Sequence, residues 1–223
     1  MFFEKKITSI RPQDRVLEIG PGSSPHPRSN AFLELAFDQH EDKISQRGGI
    51  AKDAGFGGRP VYYYDGNAFP FENNQFDYVI CSHVIEHVLN PVEFLSEVFR
   101  VSSGRGYLEY PLITYEYLYD FNVHLHFVKY DSEFQKLLYI PKRETSFGEF
   151  AAVSGLLNRM LQLGWDDLCS TNKAIFFEGF EFDHRFVVEK SHTLAALLPD
   201  LTRIREKSQV RKFLGRLLNK LDL

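Results

Sequence analysis

Val16-Leu17-Glu18-Ile19-Gly20-Pro21-Gly22 decides the fold. The first four residues read as a short buried strand, because a central parallel strand is covered on both faces and is apolar almost throughout. The glycines that follow let the backbone turn tightly and come close to a ligand, with no side chain to hold it off. In an open parallel sheet a ligand sits outside the carboxyl ends of the strands, where this turn lies. A nicotinamide dinucleotide would want a third glycine at the position of Pro25, and proline there argues against it.

A second stretch supplies matching parts. Asp65-Gly66-Asn67-Ala68-Phe69-Pro70-Phe71 is a turn followed by an aromatic-proline step. It leads into Gln75-Phe76-Asp77-Tyr78-Val79-Ile80-Cys81-Ser82-His83-Val84-Ile85-Glu86-His87-Val88, a second apolar strand with a polar end. Glu97-Val98-Phe99-Arg100-Val101 and Gly104 complete the order. Together these blocks resemble the class I (Rossmann-like) S-adenosylmethionine-dependent methyltransferases. They are most similar to the branch acting mainly on small molecules, lipids and glycans. The resemblance covers residues 15–111.

The resemblance implies an α/β fold: a doubly wound, mostly parallel sheet with an antiparallel edge strand. It implies S-adenosylmethionine as cofactor. By matching positions, Glu18, Gly20 and Gly22 approach its methionine and ribose portions, and Asp38 bonds the ribose hydroxyls. The Asp65-Gly66-Asn67-Ala68 turn holds the adenine, with Asp65 accepting from the exocyclic amine. Ser82 and His83 form the wall beside the methionine moiety. Each residue has a plainer role open to it: Glu18 pairing with a backbone donor, Asp38 as an exposed loop acid, Asp65 as an Asx-turn residue.

Bulk properties agree with one globular domain. The chain has 223 residues, 43 % hydrophobic and 25 % charged. Its net charge of −4 gives no general affinity for nucleic acid. Residues 201–223 carry seven Lys/Arg against two acids, so the rest of the chain is markedly acidic. Cys81 and Cys169 are not spaced as metal ligands. No secretory signal or membrane-spanning run is visible, which points to the cytoplasm.

Residues 15–19, 31–37, 61–64, 76–82 and 106–111 read as the five parallel strands. The paired prolines Pro25 and Pro27 disfavour a long helix, so the helix usual after the glycine turn is short or replaced by a loop. Asn90-Pro91-Val92-Glu93 opens a helix, with Asn as cap and apolar positions 92, 95, 98 and 99 on its buried face. Residues 112–145 are rich in aromatic rings and read as an insertion or elongated loop at the carboxyl edge of the sheet. Ser146-Phe147-Gly148-Glu149 reads as a capping box opening a helix that ends at Gly164. The runs 174–177 and 182–188 should give the last two strands of the sheet. The methyltransferase domain is placed at 1–190 and a basic amphipathic helix at 191–223, with Val210, Leu214, Leu217 and Leu221 on one face.

The expected activity is methyl transfer from S-adenosylmethionine to a small-molecule, glycan or lipid-linked acceptor. A non-catalytic scaffold with the same fold is the competing reading, favoured by the missing helix and the lack of an obvious base. His83, His124 and His126 are the candidate catalytic groups; Glu86 and His87 are weaker ones. His124 and His126 alternate as on one strand face, but two ligands do not make a metal site, so no metal is expected. The aromatic rings of 112–145 suit either core packing or an acceptor pocket. The basic tail suits a solvated helix, or a peripheral membrane or protein contact.

Overall fold

The architecture comes from a computed structural model. It describes residues 1–36, 55–147 and 151–200. Six strands form the main sheet: β1 (Val16–Ile19), β2 (Ala31–Leu35), β3 (Val61–Tyr64), β4 (Tyr78–Ser82), β5 (Gly106–Pro111) and β8 (Phe177–Phe182). Their order across the sheet is β3-β2-β1-β4-β5-β8. The first five are parallel, and β8 runs antiparallel to β5 at the edge, pairing Leu108 with Phe180. The fold is therefore the doubly wound, mostly parallel α/β sheet that the first two motifs imply. β1 and β5 are buried at every residue, as strands covered on both faces must be.

Helix α1 (Pro91–Val101) packs on this sheet, burying Phe94, Leu95, Val98 and Phe99. Its start is fixed by Asn90, whose side-chain oxygen accepts from the amides of Val92 and Glu93 at 3.1 and 3.3 Å. Val92 is not on the buried face; it is 40 % exposed, and Phe94 takes the place expected for it. The proline-rich segment after Gly22 is loop as expected, with no helix between β1 and β2.

The carboxyl half departs from the sequence reading. Residues 112–145 are not a long loop. They form α2 (Ile113–Tyr119) and a hairpin of β6 (His126–Asp131) and β7 (Lys136–Pro141). That hairpin joins β9 (Val187–Lys190) in a second, three-stranded sheet ordered β6-β7-β9. Thus neither expected final strand forms as drawn: β8 fills the stretch between the two expected runs, and it alone completes the main sheet. The chain leaves the sheet where Phe182 meets Gly106, the first residue of β5. Phe186 then turns inward, edge-on to Phe99 and Phe182, and sends β9 to β7. The expected strand at 174–177 is instead mostly a helical turn, α5 (Lys173–Phe176). The Phe176 carbonyl accepts from the Leu112 amide at 2.8 Å, and the Ile175 carbonyl from the Thr114 hydroxyl, so neither joins a ladder.

Between β7 and α5 lie α3 (Ala151–Gln162) and α4 (Asp167–Thr171). Gly164 has φ +92°, consistent with the expected stop of α3. Part of the capping box, residues 148–150, falls outside the described residues, as do 37–54 and 201–223. The expected Asp38 site and the amphipathic stripe of the tail lie there. Among the described residues no helix is long and apolar enough to cross a membrane.

Replacing Asn90 by Ala should lower unfolding free energy by about 1 kcal/mol, because two amides at the start of α1 lose their acceptor. Asn90→Ser should restore most of it. Urea denaturation of the three proteins measures both.

Candidate active site

A cavity of about 620 Å³ opens at the carboxyl ends of β1, β2, β3 and β4. Its wall at β1 is the glycine turn. Gly20 and Gly22 both have left-handed backbone, with φ +59° and +60°, which glycine adopts without cost. They serve different purposes. A side chain on Gly20 would strike Val84 Cγ2 at 2.7 Å, so glycine there lets the turn pack on the segment after β4. A side chain on Gly22 would meet open space, so its glycine answers to backbone conformation.

Glu18 lines the cavity but is only 3 % exposed. Its Oε2 accepts from the His26 amide at 2.8 Å and the Ser29 hydroxyl at 2.7 Å. Burial pushes its carboxyl above the usual range; the Ser29 and His26 hydrogen bonds and the charge of Arg59 oppose that without cancelling it. Glu18 thus organises the helix-free loop, whichever ligand it also meets. Arg59 closes the other side, donating to the His26 and Ser29 carbonyls at 3.2 and 2.9 Å.

At β3, Asp65 and Gly66 line the cavity, and Gly66 has φ +96°. Asp65 Oδ1 accepts from the Asn67 amide at 3.0 Å, the Asx turn that was its plainer reading. Hydrogen bonding to Asn67 holds its carboxyl below the usual range. Asn67 and Ala68 are exposed and stand outside the cavity wall. Glu34, at the end of β2, lines the cavity and went unnoticed in the sequence, although an acid inside Ala31-Phe32-Leu33-Glu34-Leu35 is itself a signal.

At β4 the turn residues Ser82 and His83 line the cavity, with His83 in left-handed backbone at φ +56°. Both are bound to Glu109 of β5, which sequence reasoning missed. Glu109 is fully buried. Its Oε1 accepts from the Phe2 amide at 2.7 Å and the Ser82 hydroxyl at 3.1 Å, with His83 Nε2 at 3.0 Å. Its Oε2 accepts from the Phe3 amide at 2.9 Å and the Tyr107 hydroxyl at 2.6 Å. Burial alone would raise Glu109, but His83, Tyr107 and the Phe2 amide outweigh it and bring it down to about 2. Burial likewise works against a charged His83, yet its contacts with Glu109 and Glu86 raise it to about 9. These contacts favour the protonated form of His83. The signal in the sequence was an acid in the middle of a buried strand, which must find partners.

The remaining wall comes from outside the family motifs. Met1 and Phe2 run along it, with the Phe2 ring stacked on Phe177 at 3.9 Å and edge-on to His83 at 5.3 Å. Tyr115 and Phe121 add two rings stacked at 5.4 Å. His87 and His124 also line the cavity, with ring centres 4.6 Å apart. His126 does not join His124. It is buried elsewhere, with Nε2 2.9 Å from the Val88 carbonyl and its ring edge-on to Tyr139. His124 precedes β6 and turns Nδ1 to Glu116.

A doubly wound sheet with one cavity at its first four strand ends is the class I methyltransferase arrangement. Residues 17–109 match the family described as "Methyltransferase domain". No curated protein matches the chain. Among solved structures the chain is similar to a SAM-dependent methyltransferase, possible histamine N-methyltransferase, from Thermotoga maritima: 20 % identity, 49 % of each chain covered, TM-score 0.33. It is also similar to the YcgJ protein from Bacillus subtilis, at 12 % identity, 79 % of this chain and 94 % of the other, TM-score 0.40. A third likeness is to SAM-dependent methyltransferases of Methanosarcina mazei, at 17 % identity, 56 % and 69 % covered, TM-score 0.32. The chain spans about half the length of the first of these.

Glu109→Gln keeps the shape but removes the charge that five donors are arranged around. It should cost about 2 kcal/mol near pH 6, since it removes the charge from a buried acceptor that five donors depend on. The sign with pH follows from the depressed carboxyl. Its stabilisation is complete above its ordinary value of 4.5 and is lost as pH falls through about 2. The gap between wild type and variant should therefore narrow as pH drops from 4.5 towards 2, read by denaturant titration at each pH.

Proposed function

We propose that the protein transfers a methyl group from S-adenosylmethionine to a small-molecule, glycan-type or lipid-linked acceptor. The observation that carries this reading is the meeting of four strand ends of the family-matched segment around one cavity. A volume of about 620 Å³ is within the range of small-ligand sites. The residues present fit the cofactor. Open space beside Gly22 leaves room for a ligand against the turn. Glu34 and Asp65 offer acceptors of the kind that bond sugar hydroxyls and an exocyclic amine. Asp38 lies outside the described residues, so its part rests on the motif alone.

When bound, the cofactor supplies a methyl group on a good leaving group. The chain's task is then to hold and orient the acceptor and to exclude water. Phe2, Tyr115, Phe121 and Phe177 give that end of the cavity flat apolar walls, which suit a sugar, lipid or aromatic acceptor. Ser82 and His83 are fixed by Glu109, so they shape the wall. The contacts that favour a protonated His83 work against a role for it as base.

Isothermal titration with S-adenosylmethionine and with its demethylated product tests the reading. Folded protein that binds neither would remove it. Asp65→Ala should weaken binding of either compound roughly tenfold, the loss of about one charge-assisted hydrogen bond. Asp65 is exposed, so the melting temperature should not move.

A further inference from the structure

One cluster in the cavity wall is explained neither by the cofactor nor by packing. Glu86, in the turn after β4, is fully buried. Neither of its carboxylate oxygens meets a hydrogen-bond donor among the described residues. The nearest ring nitrogens are His83 Nδ1 at 3.5 Å, outside hydrogen-bonding geometry, and His87 Nε2 at 3.9 Å. The charge of His83 offsets part of its burial, but His83 is hydrogen-bonded to Glu109, and both Glu86 oxygens are left without a close donor, which is unfavourable for a buried carboxylate.

The two histidines beside it are set up alike. His87 Nδ1 lies 3.0 Å from the Val123 carbonyl, which can only accept, so the proton belongs on Nδ1 and Nε2 carries a lone pair. His124 Nδ1 faces the carboxylate of Glu116, which is buried and paired with Lys142 Nζ at 3.1 Å. The same reasoning leaves Nε2 of His124 as a bare donor of electrons. Ligand atoms of Glu86, His87 and His124 lie within 4.8 Å of one another. The backbone fixes the cluster as well, for the Leu125 amide donates to the Glu86 carbonyl at 2.6 Å. Three lone-pair donors thus converge, and each imidazole is oriented by an acceptor on its far nitrogen. That far-side acceptor is the usual support of a metal-bound histidine.

We propose that Glu86, His87 and His124 bind a divalent transition metal ion of the zinc, manganese or iron class. Two imidazoles and one carboxylate suit such ions better than calcium or magnesium, which prefer oxygen throughout. Three protein ligands leave coordination open, and His87 and His124 line the cavity, so the open side faces it. The acceptor would then carry an oxygen donor, a hydroxyl or carboxylate, that completes the coordination. This last step rests on the methyltransferase reading; metal binding itself does not.

The test uses the untagged full chain after chelator treatment. Cobalt(II) is titrated in and followed by visible absorption, and manganese(II) by electron paramagnetic resonance. One saturable equivalent is expected. His87→Ala and His124→Ala should each weaken it by roughly tenfold or more, with circular dichroism confirming the fold. Glu116→Gln, which leaves all three ligands in place, should weaken it less. Should folded wild type bind neither ion, or should His124→Ala bind as wild type does, the site is refuted and Glu86 is balanced by His83 alone. The demethylated cofactor is titrated separately into the chelated protein. Cofactor binding without metal binding overturns the metal site and leaves the methyltransferase reading standing. Metal binding without cofactor binding keeps the site and overturns the oxygen-bearing acceptor.

Discussion

The carboxylate of Glu109 is the constraint on which the site depends. It lies in the middle of β5, where both sheet faces are covered, and it must be satisfied without water. Its donors come from three places far apart in the chain: the amides of Phe2 and Phe3, Ser82 and His83 after β4, and Tyr107 on β5 itself. Satisfying one acid therefore fixes the amino-terminal segment across the sheet and the turn that follows β4. It also holds Phe2 against Phe177 and His83, so part of the cavity's aromatic wall is in place because of a buried charge. A neutral residue at 109 would fill the strand equally well but would leave these segments with nothing to converge on.

What could be read from the sequence was what depends on local pattern. β1, β3 and β5 have nearly the limits that their sequences suggest: β1 and β5 announce themselves by continuous burial, while β3 is the sheet's edge strand with Tyr62 and Tyr63 exposed. Asn90-Pro91 marked the start of α1 for a stereochemical reason and did so correctly. The loop after Gly22 followed from two prolines. Where the reading failed, long-range partners decided. Residues 174–177 have β-rich composition, yet their carbonyls are claimed by Leu112 and Thr114 across the fold. The hairpin of β6 and β7 was hidden because its facing partner, β9, lies some fifty residues later in the sequence. An aromatic-rich stretch looks irregular until the second sheet that it covers is known.

The candidate site divides the same way. The glycine turn, Asp65-Gly66 and Ser82-His83 all reach one cavity, because each is the carboxyl end of a neighbouring parallel strand, and that placement is topological. The purposes of individual atoms were not visible. Gly20 reads as a ligand-facing glycine, but its missing side chain makes room for Val84. Glu18 reads as a ligand-facing acid, but one of its oxygens already holds the loop together. His124 and His126 read as a pair by spacing, yet a loop residue and a strand residue need not point alike. His124 has its neighbours in Glu86 and His87, and no spacing rule links residues so far apart.

The turn from Ser82 to Val88 thus has two obligations, and they meet at His83. Toward β5 it gives Ser82 and His83 to Glu109; toward the loop before β6 it gives Glu86 and His87 to His124 and Val123. His83 lies between two buried carboxylates but can close a good hydrogen bond with only one. It takes Glu109, at 3.0 Å, and stays 3.5 Å from Glu86. Because Glu109 also gathers two backbone amides and two hydroxyls, moving His83 toward Glu86 would cost one carboxylate a partner without fully satisfying the other. The unmet acceptors of Glu86 therefore go with the way His83 is fastened to Glu109, and they lie beside His87 and His124 at the wall of the cavity.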